Sequence, residues 1–457
     1  MSTVLQIHPR DPRYFADAEG KTFVPVGCNL CFVRGAETMP EAEVLALFRD
    51  WFTRFAANGG NYARVWLGVP FLEVMPDEIG KFDDRAAARI RFLVELAEKL
   101  GIKLKFTLEH FRRTIPDERD TNCFPGLANF VKPLYRPYAQ TMHEYLTSPV
   151  CRRAYLARAE YLAQQGFGDS PAVAAWELWN EINTIGDVFG DVGEWSRFMI
   201  PELQKLFPKQ LILQNLGSLS PVAAFQRYDY LVTVEGNAFP QIHCYLDQGA
   251  ELDFCHGPMD VLAARAVREL RDRAPDRPAV LAEVGAVEAN HCRPWDLYAK
   301  DTQGVLLHDM LFAPFFAGSA GCGQPWHWDH LYIARHDLWH HFDRFARAIA
   351  GFDPAAEHAR VFHTETHRLR VYGLRGTRQT LVWCRDKSSD WMSELKNGVP
   401  APVVSGEILR LPFGGPVVCD LIWEDRQTEV LPENGAIRLP DFTRSIVLRF
   451  PTLAEKR

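Results

Sequence analysis

The chain has little of what a membrane protein, a nucleic-acid binder or a disulfide scaffold needs. No apolar run reaches the roughly 18 residues of a membrane-crossing helix. No basic run stands out and the net charge is −7, which argues against phosphate backbones as partners. The N-terminal MSTVLQIHPRDPRYF lacks the basic-then-apolar order of a signal peptide, so a cytoplasmic location is expected unless a leader has been removed. The ten cysteines (Cys28, Cys31, Cys123, Cys151, Cys244, Cys255, Cys292, Cys322, Cys384, Cys419) show no framework spacing, and reduced thiols are expected. Cys28-Asn-Leu-Cys31 has the CxxC spacing, but no second pair follows at zinc-ribbon distance and no helix start is evident behind it. Structural thiols are the better reading.

What is present is an ordinary globular composition with an aromatic excess. Hydrophobic residues make up 47% and charged residues 24% of 457 residues, while aromatics reach 12% with 12 Trp. That suits a large core, and also stacking against sugar rings. Apolar spacing alternates between strand and helix periods. Strands are expected at 24–30, 60–66, 102–109, 173–180, 211–217, 239–244, 279–284 and 318–326, with helices such as DDRAAARIRFLVELAEKLG between them. Eight such units predict a closed (β/α)8 TIM barrel over residues 1–353, entered by an N-terminal hairpin. From Pro354 the pattern becomes short strands (RLRVYGLRG, QTLVWCRD, SIVLRF) broken by Gly, Pro, Asn and Asp. This predicts a small C-terminal all-β sandwich over 354–457, with Trp391 as core.

Functional residues of such barrels lie at strand C-termini. Those ends carry Arg64 and Trp66, Glu109 and His110, Asn180 and Glu181, His243 and Tyr245, Glu283, then Trp326 and Trp328. Two carboxylates facing each other across a barrel mouth are what glycosidic cleavage requires: one protonates the leaving oxygen, the other attacks the anomeric carbon or activates water. Arg64 and Tyr245 suit the task of holding one carboxylate ionised. The other needs a less polar setting and a partner such as His243 to stay protonated. Asn180 offers an amide to a sugar 2-hydroxyl, and Trp326 a floor under the ring. In AWELWNEIN, Glu177 precedes Glu181 by four residues on the same interior side. It is expected to be a structural carboxylate paired inside the barrel. Glu109 points the other way from His110 and is read as structural as well.

Asn180-Glu181 on strand 4 and Glu283 on strand 7 resemble the retaining clan A of (β/α)8 glycoside hydrolases. Within it the chain is most similar to family 5, the cellulase and β-mannanase family. The family pattern has Arg on strand 2, His on strand 3, Asn-Glu on strand 4, His-x-Tyr on strand 6, Glu on strand 7 and Trp on strand 8. Arg64, His110, Asn180-Glu181, His243-Cys-Tyr245, Glu283 and Trp326 or Trp328 match it in order. The resemblance implies Glu181 as acid/base and Glu283 as nucleophile, with no cofactor. The implied substrate is a β-1,4-linked glucan or mannan, or its oligosaccharides. WELWNE is similar to the WELxNE form of several β-mannanases. Ile182 replaces the Pro common after Asn-Glu in the family.

Long loops after strands 3, 6 and 7 are expected to wall the mouth into a pocket, favouring chain ends or short oligosaccharides. Phe124, Tyr135, His291, Arg293 and Trp295 are candidates for that wall. Three other readings are weaker. The histidines of HWDHLYIARHDLWHH lack HExxH or clustered carboxylates, so no metal is expected. A non-catalytic carbohydrate-binding barrel would be expected to have lost one carboxylate. An exo-acting β-glycosidase or β-mannosidase stands as the alternative to polymer cleavage. Nothing in the sequence bears on the oligomeric state.

Overall fold

A computed structural model describes residues 4–110, 133–185, 189–291 and 293–453. A short antiparallel meander, Gln6–Ile7, Phe15–Ala16 and Thr22–Phe23, leads into the barrel. Tyr14 and Phe15 of the meander pack with Tyr62, Ala174, Leu213, Val280 and Ala320. They therefore plug the barrel at the strand N-termini, leaving the opposite end open.

Five parallel strands run side by side in chain order: β1 (Gly27–Asn29), β2 (Tyr62–Trp66), β3 (Lys103–Glu109), β4 (Val173–Trp179) and β5 (Leu211–Leu213). β6 (Gln241–Asp247) and β7 (Val280–Val287) form a second parallel pair. Single backbone bonds join the two groups: Ala238 N–H donates to Ile212 O (2.9 Å) and Leu219 N–H to His243 O (2.8 Å). The helices that cover them include α1 (Glu41–Ala57), α2 (Asp84–Leu100), α3 (Pro149–Gln164), α4 (Phe189–Leu206), α5 (Ala223–Leu231), α6 (Met259–Arg273), α7 (Val305–Phe316) and α8 (His340–Ile349). Local chemistry sets their ends. Asp83 caps α2 by accepting from Arg85 N–H, and left-handed Gly101 stops it.

The eighth strand, expected at 318–326, is not a regular one. Gln324 N–H donates to Leu281 O, Trp326 N–H to Val284 O, and Asn29 N–H to Pro325 O. The segment thus closes the barrel between β7 and β1, one bond at a time. Its composition explains why. Pro325 has no N–H to give a ladder, and a Cβ on Gly321 would stand 2.2 Å from Pro25 O.

After α8 the chain forms an antiparallel sheet in the order β8 (Arg360–Glu365), β9 (Leu369–Arg375), β10 (Gln379–Asp386), β17 (Ser445–Pro451), β13 (Val417–Leu421), β14 (Arg426–Val430). Two small ribbons accompany it, β11 (Val403–Val404) with β16 (Phe442–Thr443), and β12 (Ile408–Arg410) with β15 (Ala436–Arg438). Period-two alternation splits the sheet between two cores. Val371, Val382 and Leu448 face a core shared with Val404, Leu409, Ile437 and Phe442 of the ribbons. Tyr372, Leu374, Leu381, Trp383 and Val447 join the barrel core instead. Trp383 lies beside Phe312 and Phe316 of α7. Buried ion pairs Arg370–Asp260 (2.6 Å) and Arg385–Asp309 (2.7 Å) cross the same junction. Trp391 is buried against Trp295, as expected of a core residue. No helix among the described residues is long and apolar enough to cross a membrane.

Because the β module shares the barrel's core, Trp383→Ala is expected to cost about 3–5 kcal/mol. Urea denaturation should still show one transition at a lower midpoint. Unfolding of the β module ahead of the barrel would contradict the shared core.

Candidate active site

The barrel interior is charged at its centre. Arg64, fully buried on β2, is ion-paired through Nη2 with Glu177 on β4 and through Nη1 with Glu283 on β7. Its Nη2 also donates to Asn180 Oδ1 (2.5 Å), and its Nε to Thr107 Oγ1 (3.1 Å). Glu177 further accepts from Gln241 Nε2 (2.7 Å) and lies 3.3 Å from Lys105 Nζ. Burial alone would raise Glu177, but Arg64 and Lys105 outweigh it and hold the carboxyl below its usual range. Burial pushes Lys105 down to about 8. Glu177 is therefore a structural anion paired with an arginine, as its position on the strand predicted.

Glu283 stands above this layer. A register slip between Leu281 and Glu283 against β6 is a bulge that re-aims the following side chain. Beside Arg64, Tyr245 Oη donates to its Oε2 (2.6 Å). Burial raises the Glu283 carboxyl, and Arg64 and Tyr245 oppose the rise. Glu181 lies just past β4 in the left-handed region, φ 52°, a costly conformation for a non-glycine that here turns its side chain to the mouth. Two bonds fix the turn: Glu181 N–H donates to Asn215 Oδ1 (2.7 Å) and Thr184 Oγ1 to Glu181 O (2.7 Å). Its Oε1 lies 2.7 Å from His243 Nδ1, which is 3.4 Å from Glu283 Oε2. Burial, and next the charge of Glu283, drive the Glu181 carboxyl well above its usual value. Of the two carboxyls, Glu181 keeps the proton more strongly.

Glu181 and Glu283 open onto a cavity of about 450 Å³ at the strand C-termini, walled by Trp66, His110, Tyr245, Trp326 and His327. This volume falls in the usual range for small-ligand sites. Trp66 stacks on His110 (5.0 Å, 8°) and lies 5.2 Å from Trp326, so the floor is aromatic. The rim is Phe32–Glu37 after β1, Val69 and Phe71–Leu72 after β2, and His291, Arg293 and Pro294 after β7.

Several expected placements need correction. Trp328 is fully buried against Phe32, Trp51 and Trp326, and does not line the cavity. Alternation was to put it beside Trp326, but His327 takes φ 65° and breaks the period. Arg64, Asn180 and His243 sit beneath the carboxyls rather than on the open wall. Asn180 Nδ2 is nonetheless buried with no hydrogen-bond partner among the described residues. Of the wall candidates, His291 and Arg293 line the cavity. Tyr135 is buried against Tyr145, Trp295 packs on Trp391, and Phe124 lies outside the described residues. Glu109 is paired with Arg158 (3.1 Å), beside Glu73 (3.0 Å). Cys28 and Cys31 are buried free thiols.

Residues that sequence reasoning missed hold the site together. Asn29 donates from Nδ2 to Ala282 O and Gln324 O (both 3.0 Å) and to Pro325 O (3.2 Å), tying β1 to β7, which carries Glu283, and to the eighth segment beside it. Asn215, after β5, touches both Glu181 and His243. Asn29 ends β1, a strand otherwise without polar side chains apart from a thiol, and that contrast was the available signal; Asn215 lies past β5 beside Gln214 and carried none.

Among the described residues, the group whose ligand atoms converge as a metal site would require is Glu181, His243 and Glu283, within 4.8 Å of one another. Both ring nitrogens of His243 are already engaged, by Glu181 and Asn215. A cation there would displace the contacts that orient the carboxyls, so the triad suits proton transfer better than metal ligation.

No family model matches the chain. Mannan endo-1,4-beta-mannosidase 1 of Oryza sativa subsp. japonica is 26% identical over 267 residues, 50% of this chain and 58% of that protein. Putative mannan endo-1,4-beta-mannosidase 4 of Arabidopsis thaliana is 22% identical over 343 residues, 66% of this chain and 78% of that protein. The chain thus spans less than two thirds of the rice relative. Among solved structures, a glycoside hydrolase family 5 protein from Bacteroides vulgatus aligns with TM-score 0.60 at 12% identity, over 99% of this chain and 94% of its own. The endo-beta-1,4-mannanase from Thermotoga petrophila aligns with TM-score 0.52 at 14% identity, over 96% and 99%. Those two matches show that the fold is shared along nearly the whole chain. The resemblance to clan A glycoside hydrolases, most similar to family 5, that the strand-end residues carry is thus borne out by relatives in sequence and in fold.

Proposed function

We propose that the chain is a retaining glycoside hydrolase acting on β-1,4-linked mannan-type saccharides, with Glu283 as nucleophile and Glu181 as acid/base. The observation that carries this is the carboxyl pair: one oxygen of each lies no more than 4.8 Å from one of the other, in unequal surroundings. Inversion needs ~6.5–9.5 Å to admit a water between the groups, whereas retention works at ~5–5.5 Å. The mannan assignment is supported by the two plant relatives' names and by the WELxNE likeness.

In the first step Glu283 attacks the anomeric carbon as the glycosidic C–O bond breaks, and the Glu181 proton passes to the leaving oxygen. A glycosyl ester on Glu283 results. In the second step Glu181, now a carboxylate, takes a proton from water as that water attacks the same carbon and releases Glu283. Arg64 and Tyr245 keep Glu283 anionic and aimed. Asn180 Nδ2, without a partner in the described protein, is a fitting donor to the sugar 2-hydroxyl. Trp326 and Trp66 give the sugar an apolar floor. The C-terminal module, in this reading, is a β-sandwich that braces the barrel, with 354 as the boundary.

The test is hydrolysis of aryl β-glycosides and of β-1,4-gluco- and manno-oligosaccharides, with product lengths separating end from internal cleavage. Glu283→Gln should abolish turnover on every substrate while leaving the fold intact. Glu181→Ala should lose about 10²–10⁴-fold on natural saccharides, and far less on glycosides with a good leaving group, which need little protonation. Equal losses on both substrate types would count against Glu181 as the acid.

Stability should also depend on pH through Glu181. A carboxyl whose folded pKa lies above its usual 4.5 favours folding fully below that value, and the contribution is lost as pH rises through the folded pKa. Glu181→Gln removes this loss. Its denaturation midpoint should match or fall below wild type in acid and rise relative to it toward alkaline pH. A pH-independent difference would contradict a raised Glu181.

A further inference from the structure

His243 can meet Glu181 in two ways, and they have opposite consequences. If the ring proton is on Nδ1, the histidine donates to Glu181, whose own proton stays available for transfer. If it is on Nε2, the bare Nδ1 instead accepts the Glu181 proton and withholds it from the leaving group. Which form is present is decided one residue further out. Glu181 N–H can only donate, and it points at Asn215 from 2.7 Å. The Asn215 atom there must be its carbonyl oxygen, which settles the orientation of the amide. The other end, Nδ2, can only donate, and it faces His243 Nε2 at 3.2 Å. Nε2 must therefore accept, and the ring proton belongs on Nδ1, 2.7 Å from Glu181 Oε1.

From this chain of donors we infer that Asn215 is a positioning residue that fixes His243 as its Nδ1–H tautomer. Glu181 Oε1 is thereby occupied as an acceptor, and the transferable proton is kept on Oε2. No described residue hydrogen-bonds to Oε2, and Glu181 borders the saccharide cavity. The inference rests on the acid/base reading of Glu181.

The surroundings agree. Asn215 is fully buried, so water does not compete for its amide. Its own N–H donates to Gln214 Oε1, which also accepts from Trp179 N–H, so the amide is set by the β4–β5 junction. Burial first, then the nearby Arg64, Lys105 and His291, hold His243 neutral. Around Glu181 the charged neighbours are Glu283, Arg64 and Glu177. After the first step the same Nδ1–H donates to the Glu181 carboxylate and steadies it while water arrives. One amide thus serves both protonation states of the acid/base group.

The experiment combines ring ¹⁵N NMR with leaving-group kinetics. In wild type, the His243 signal, assigned by its loss in His243→Gln, should report a neutral ring protonated at Nδ1. Asn215→Asp is nearly isosteric and still accepts from Glu181 N–H, but it offers an acceptor to Nε2. The ring proton should move to Nε2. Turnover of saccharides with poor leaving groups should then fall about 10²-fold, while activated aryl glycosides lose less than about 10-fold. An Nε2–H or imidazolium ring in wild type would overturn the inference, whatever the variant does. So would equal losses on both substrate types in Asn215→Asp. If Glu181→Ala shows the leaving-group signature and Asn215→Asp does not, the tautomer argument alone has failed. If neither shows it while wild type is Nδ1–H, the acid/base reading has failed.

Discussion

A guanidinium with no solvent contact, Arg64, is the constraint around which the barrel interior is built. An unpaired charge in that setting would cost many kcal/mol, and breaking one partner of a buried pair typically costs about 3–5 kcal/mol. Glu177 and Glu283 both answer it, and Lys105 adds a second cation against Glu177. Two cations and two anions balance if Glu181 is neutral, the state that its burial favours. The charge balance that allows the barrel to close also assigns unlike protonation states to the two carboxyls at its mouth. Stability and chemistry meet at one side chain.

The mouth is also where the backbone leaves its ordinary conformations. Glu181, His291 and His327 all border the cavity and all have positive φ. Such residues cost about 1–3 kcal/mol each and persist only where the surroundings over-determine them. At Glu181 the surroundings are Asn215 and Thr184. His327 is held by Tyr298, whose hydroxyl also receives Ala286 N–H from β7. The bulge before Glu283 does similar work within the strand. These departures turn side chains toward the opening that a regular strand would bury or point at the helices.

How far this was legible in the sequence follows from the range of each interaction. Period-two and helical spacing are local, and they gave the strand order, the helices and the change to short β segments. Strand ends then predicted which residues would converge, and Glu177 was read as structural because a strand position is also local. The irregular eighth segment was misread as a strand because its apolar letters fit one, although its Gly and Pro content argued against regular pairing. Trp328 followed from the same error, since alternation does not survive a left-handed residue at His327. Asn29, Asn215, Lys105 and Gln241 were missed for another reason. Their partners lie on strands far away in sequence, and only closure of the barrel brings them together. The rim after β1 and β2 was likewise hidden, because loop length pointed to the loops after β3, β6 and β7, of which the last does line the cavity.

The claim on which the account depends most is that the two carboxyls act by double displacement. The direct test is the configuration of the sugar first released, followed by ¹H NMR during hydrolysis of an aryl β-mannoside before mutarotation sets in. With Glu283 as nucleophile, the β-anomer should appear first and the α-anomer only later, as mutarotation proceeds. Initial release of the α-anomer would mean single displacement by water, and would contradict a nucleophilic Glu283.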